Sequence, residues 1–310
     1  MPSGRSGSIH LFKFKGIDVF LHWSWFLVAF YEIQRGGIGR YSSVTWNVAE
    51  YLSLFVIVTL HEFGHSLACR QVGGQANQIV LWPLGGVAYV DPPPRPGATL
   101  WSIAAGPLVN VALAPILAGL YFLARSQGWA HSMPDVYELV GAVLTIDIGL
   151  LAFNILPIYP LDGGQILRSL LWFVLGRGRS LMVAAILGLI GVAAFIGLAI
   201  WGQSAWYAVI AIFTLMNCWS GLKHARALLQ FEKLPRRQGF ACPACKAAPP
   251  QGEFWKCGKC GQAFDTFQTH AVCPRCGTQF PVTKCFECGA SNPMSEWTAP
   301  VISSSFEVKR

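Results

Sequence analysis

The sequence predicts an all-α polytopic membrane protein with six transmembrane helices, one re-entrant β-hairpin and a small cysteine-rich domain. Three observations carry this expectation. The 310 residues are 53% hydrophobic and only 12% charged, where soluble domains carry roughly 25% charge. Six apolar stretches, at about 17–33, 47–70, 99–124, 137–157, 181–201 and 205–222, approach the length needed to cross a hydrocarbon core of roughly 30 Å. Eight of the ten cysteines lie between Cys242 and Cys288 as four Cys-x-x-Cys pairs. Long disorder is excluded, because it requires low hydrophobicity. A disulfide-dense secreted fold is excluded as well, since the cysteines are too dilute for one.

The first stretch carries Asp18 and His22 near its start and has no small-x-small cleavage site at its end, so it is expected to be retained rather than removed as a leader. Six spans put both termini on one side. That side holds thirteen basic residues, among them Arg70, Arg95, Arg168, Arg177, Lys223 and Arg237, against Arg35, Arg40 and Arg125 on the other. Basic residues collect on the cytoplasmic side, so a cell-membrane protein with both ends in the cytoplasm is expected. Between the second and third spans, 78–90 is apolar and β-prone on both sides of Pro83 to Gly86. It reads as a hairpin too short to span, buried by protein or reached by water because irregular backbone is tolerated at membrane depth only there. From 223 the composition turns basic and then cysteine-rich. The expected organisation is a membrane domain over 1–225, a basic juxtamembrane linker over 226–240, a cysteine domain over 241–290 and a flexible tail over 291–310.

The strongest chemical signal is His61-Glu62-Phe63-Gly64-His65. Positions i and i+4 share a helix face, so both imidazoles reach one ion while Glu62 stands beside a metal-bound water. An apolar run from Tyr51 to Leu60 leads into the motif, which places three ionisable groups inside a span. Each costs at least roughly 2.5–3.5 kcal/mol there, and metal ligation supplies the compensation. With a rise of about 1.5 Å per residue, His65 lies roughly 7–8 Å from Arg70, in the cytoplasmic half of the bilayer. A catalytic zinc needs a third protein ligand. Asp147 and Asp162 are the available carboxylates, and Asp162 is chosen because two prolines precede it and two glycines follow, which suits a broken helix. Asp147 is left as a pore-facing or helix-packing residue, and His22 as a gate or packing residue.

His61-Glu-Phe-Gly-His65, Ala105-Gly-Pro-Leu-Val-Asn110 and Asn154-x-x-Pro-x-x-Pro-Leu-Asp-Gly-Gly164 together resemble the site-2 protease family of intramembrane zinc metalloproteases, over roughly residues 9–225. The start of the first stretch, with His22, resembles the branch related to the sporulation protease, although cysteine pairs stand here in place of that branch's CBS pair. The resemblance implies that His61, His65 and Asp162 ligate zinc and that Glu62 is the general base. It also implies that Asn154 hydrogen-bonds the substrate or the tetrahedral intermediate. The stretch around Gly85, Gly86 and Val87 resembles the family's re-entrant hairpin and is expected to bind substrate. The implied activity is hydrolysis of peptide bonds within or near the membrane segment of a membrane-tethered protein. The alternative is a catalytically inactive scaffold whose cysteine domain does the work.

Two residues between thiolates let both reach one tetrahedral zinc, and a cytoplasmic position disfavours disulfides. The cysteine region therefore resembles a double zinc ribbon. Sequential pairing is assumed: Cys242, Cys245, Cys257 and Cys260 hold one structural zinc, and Cys273, Cys276, Cys285 and Cys288 a second. One catalytic and two structural zinc ions are thus expected. The ribbon lysines and arginines are scattered without interleaved aromatics, which argues against nucleic acid. A protein partner is expected for the ribbons, and the lipid bilayer for the basic linker.

Overall fold

A computed structural model describes residues 7–27, 29–30, 40–82, 85–203 and 205–297. The chain divides between Leu228 and Leu229 into two compact units. The first opens with two strands, β1 (Ser8–Phe14) and β2 (Ile17–His22). It continues with helix α1 (Val44–Gln71), strands β3 (Gln75–Trp82) and β4 (Gly85–Asp91), and helices α2 (Pro96–Ser126), α3 (Pro134–Asn154), α4 (Asp162–Leu175), α5 (Arg177–Trp201) and α6 (Ala205–Glu232), the last running into the second unit.

The all-α expectation is corrected by the first unit's sheet, whose order is β1-β2-β3-β4. The turn between β1 and β2 is Lys15-Gly16, both left-handed, with φ of 47° and 76°. That backbone matches the twist of a two-residue hairpin. β2 occupies the start of the stretch expected as the first span. Apolar length alone suggested a membrane helix there. In the fold, Ile17 and Val19 are instead fully buried in a sheet core with Ile79, Leu81 and Val58. The remainder of that stretch lies partly outside the described residues, as does Arg35.

β2 and β3 run parallel, with Val19 opposite Ile79 and Leu21 opposite Leu81. Parallel neighbours require a crossover, and α1 lies within it. The helix packs Tyr51, Leu54, Phe55, Phe63 and Leu67 on the sheet core. Arg70 in its last turn donates to the carbonyls of Lys15, Gly16 and Ala76. The helix is thereby tied at one end to the β1–β2 turn and to the start of β3. The expected hairpin is present as the antiparallel pair β3–β4, with Ile79 opposite Ala88 and Leu81 opposite Gly86. Its tip at 83–84 lies outside the described residues.

Among the described residues four helices are long and apolar enough to cross a membrane, α1, α2, α3 and α5. They coincide with four of the six expected stretches, and 205–222 lies within α6. Large apolar side chains face outward on them, including Ile116, Ile190 and Ile200, the arrangement of helices solvated by lipid rather than water.

In the second unit the four cysteine pairs are nested, which corrects the sequential assignment. Cys242, Cys245, Cys285 and Cys288 form one cluster, and Cys257, Cys260, Cys273 and Cys276 the other. Sγ–Sγ distances of 3.7 and 3.8 Å in the first cluster, and 3.5 and 3.6 Å in the second, are those of thiolates around a tetrahedral ion with bonds of about 2.3 Å. Each pair closes a tight turn in which the residue after its second cysteine donates to the carbonyl of its first. Gly261, Gly277 and Gly289 supply the left-handed backbone in three of them, and Lys246 adopts it with φ 61° in the fourth. The hydroxyl and backbone N–H of Thr278 favour the anion of Cys276 and lower its thiol to about 6.

The first inner pair, Cys257 and Cys260, sits in the turn of the hairpin of β5 (Trp255–Lys256) with β6 (Ala263–Phe264), and a turn capped by Asp265 lies between it and the second inner pair. The outer pairs close around Phe267 and Trp297. Residues 291–297, expected in the flexible tail, are instead part of the ribbon fold. β7 (Thr283–Lys284) pairs with β8 (Ser291–Asn292), and Trp297 is 1% exposed. Residues 298–310 lie outside the described residues.

Changing Cys242, Cys245, Cys285 and Cys288 to Ser together is expected to remove one ribbon zinc and leave the other, counted by elemental analysis of the full chain. Loss of both would restore sequential pairing.

Candidate metal centre

His61, Glu62 and His65 lie two-thirds of the way along α1 and are 3%, 5% and 6% exposed. The third group arrives from a helix break. α3 ends at Asn154, seven residues form a compact loop, and Asp162 is the first residue of α4. The two glycines after it are required by close approach: a Cβ on Gly163 would stand 2.2 Å from the Ile155 carbonyl oxygen, and one on Gly164 2.4 Å from the Tyr159 nitrogen. The loop therefore folds directly onto the start of α4 and holds Asp162 under α1.

Three donor atoms converge. His61 Nε2 and His65 Nε2 are 3.1 Å apart, and Asp162 Oδ2 lies 3.0 Å from the first and 3.3 Å from the second. Hydrogen bonding on the far side of each ring fixes what these atoms carry. The His65 Nδ1–H donates to the Ser102 carbonyl at 2.9 Å. The His61 Nδ1–H donates to Asn110 Oδ1 at 2.6 Å, and the Asn110 amide is oriented because its Nδ2–H donates to Asp147 Oδ1 at 2.7 Å. With both Nδ1 atoms protonated in neutral rings, both Nε2 atoms present bare lone pairs. Two lone pairs and a carboxylate oxygen at this spacing repel one another unless a cation lies between them. A tetrahedral zinc with bonds of about 2.0–2.1 Å separates its ligand atoms by about 3.3 Å, and the donor set fits that ion.

Room for the rings is also provided by glycine. A Cβ on Gly106 in α2 would lie 2.2 Å from His65 Nε2, and one on Gly64 would lie 2.6 Å from the Ala105 carbonyl oxygen. Glu62 extends toward the sheet, where its Oε2 accepts the Ala88 N–H of β4 at 2.9 Å. It fits there only because position 86 is glycine, whose Cβ would stand 2.2 Å from Glu62 Cγ.

Residues 49–138 and 123–198 match the model of peptidase family M50. The chain is also similar to the site-2 protease structure from Methanocaldococcus jannaschii, at 27% identity and a TM-score of 0.51, covering 69% of this chain and 95% of that one. Over these matched residues the chain is similar to peptidase family M50. A zinc metalloprotease of the same archaeon is 36% identical over 58% of this chain and 50% of its own length. A Synechocystis protein named as a candidate zinc metalloprotease is 28% identical over 70% and 60%. The chain thus spans about half to three-fifths of the curated relatives it matches.

The remaining expected site residues are placed as follows. Asn154 is half-buried at the end of α3 and forms no hydrogen bond to the described residues of the cluster. Gly85, Gly86 and Val87 lie on β4, the sheet edge above Glu62, with the side-chain surroundings of Val87 outside the described residues. His22 does not reach the cluster; its ring stacks on Trp82 at 3.9 Å. Asn110 carried no assigned role in the sequence. The available signal was two polar side chains, Asn110 and Asp147, in the middle of apolar spans.

Gly106→Ala is expected to displace His65 and lower the zinc bound outside the ribbon unit, with a stability loss of about 1–3 kcal/mol from overpacking. Gly119→Ala in the same helix, where a Cβ meets nothing within 4 Å, is expected to leave zinc content unchanged. Elemental analysis with thermal unfolding in detergent reads both.

Proposed function

We propose that this chain is an intramembrane zinc endopeptidase of the site-2 type, cleaving a membrane-tethered protein within or near its transmembrane segment. The carrying observation is the convergence of two bare imidazole nitrogens and Asp162 next to Glu62 on an apolar helix. His61, His65 and Asp162 hold the ion, and each ribbon cluster holds a structural one, three in all. Bound zinc supplies the Lewis acidity that makes water nucleophilic near neutral pH and polarises a carbonyl.

The chain's own groups do the rest. Glu62 takes the proton from the attacking water and delivers it to the leaving amine. Asn154 sits where the α3–α4 break begins, and donates its amide to the developing oxyanion. A substrate helix hides its carbonyls in its own hydrogen bonds and must unwind. β4 is an edge strand, so the unwound segment pairs along Gly85, Gly86 and Val87 by β-augmentation. Of the basic residues following α6, Arg236 and Arg237 pair with Glu287 and Asp265 of the ribbon unit, which corrects the expectation that the whole linker meets lipid. Lys233 faces anionic lipid in the cytoplasm, where both termini lie, and the ribbon unit recruits a protein partner.

Glu62→Gln is expected to retain zinc and to lose cleavage of a reconstituted membrane-spanning substrate by about 10²–10⁴-fold. Cleavage at the wild-type rate would remove Glu62 from the reaction.

A further inference from the structure

Asp147 is fully buried in α3, with only one of its carboxylate oxygens hydrogen-bonded. Oδ2 has no partner among the described residues, and no lysine or arginine among them forms an ion pair with the side chain. A carboxylate in this position is expensive. If its task were only to tie α3 to α2, a neutral amide or hydroxyl would bond Asn110 at lower cost. Its single partner, Asn110, is itself fully buried and is the sole described residue between Asp147 and a ligand imidazole.

An asparagine amide presents an acceptor on one side and a donor on the other. Only a pure acceptor opposite Nδ2 forces Oδ1 to face His61. Asp147 is such an acceptor, and an amide or hydroxyl at 147 would leave either orientation of Asn110 open. With the amide reversed, a donor would face His61 Nδ1, the proton would be driven to Nε2, and the lone pair toward Asp162 would vanish. The metal side gains in turn, because a cation at Nε2 makes the Nδ1–H a stronger donor and compensates the buried negative charge through the chain of bonds.

We infer that Asp147 is a positioning residue of the metal centre, acting through Asn110 to set the tautomer and zinc affinity of His61. This rests on reading His61, His65 and Asp162 as the zinc site, and goes beyond it in assigning Asp147 and Asn110 a function.

The test is zinc affinity of the full-length chain in detergent, by chelator competition with the ribbon sites loaded. Asp147→Asn and Asn110→Leu are each expected to weaken the non-ribbon zinc by about 10–100-fold. The double exchange Asn110→Asp with Asp147→Asn keeps the volume and the charge count. It rebuilds both hydrogen bonds, with an amide at 147 donating to a carboxylate that accepts from His61, so it is expected to recover most of the affinity. A role in packing alone predicts no such recovery. Three zinc ions with unchanged affinity in Asp147→Asn would overturn this assignment alone, as would weakened affinity that the exchange fails to restore. A wild-type chain that takes up only two zinc ions would overturn the underlying site and this assignment with it.

Discussion

Two imidazole nitrogens and a carboxylate oxygen meet within 3.3 Å inside an apolar helix bundle, and a bound cation compensates that convergence. The two histidines are almost completely buried, and no lysine or arginine pairs with Asp162 among the described residues. The rest of the first unit follows from the need to bring these atoms together. α1 supplies two donors one turn apart, and the broken segment between α3 and α4 supplies the third. Glycines at 64, 106, 163 and 164 remove the side chains that would hold the elements apart.

The sheet gives α1 its bearing. Because β2 and β3 are parallel, the chain between them must cross over, and α1 in that crossover lies with one face on the sheet core. The same arrangement puts β4 above Glu62. The carboxylate is then held by a backbone N–H of an edge strand, next to the segment along which an extended peptide would add. The third ligand thus reaches α1 from the helix bundle, while the sheet holds Glu62 through the Ala88 N–H.

Much of this was legible in the sequence, where chemistry is local. The i, i+4 histidines, the proline- and glycine-flanked Asp162, the β3–β4 hairpin and five of the six apolar stretches as helices could each be read from neighbouring residues. What could not be read depends on tertiary geometry. Ile17 to His22 is as apolar as a span start, and only burial against α1 and β3 distinguishes a strand from a helix there. Cys-x-x-Cys spacing says which thiolates share a turn but not which turns share an ion, so the nesting is visible only in the folded unit. Trp297 closes the ribbon core from a polar stretch without periodicity. Asn110 and Asp147 become partners only once α2 and α3 are in register.

The most direct measurement is an anomalous difference map of the crystallised protein, collected on either side of the zinc absorption edge. The account predicts a peak within about 2.0–2.2 Å of His61 Nε2, His65 Nε2 and an Asp162 oxygen, separate from those at the cysteine clusters. Clear density for the three side chains turned away from one another, with no anomalous signal between them in zinc-replete protein, would contradict it.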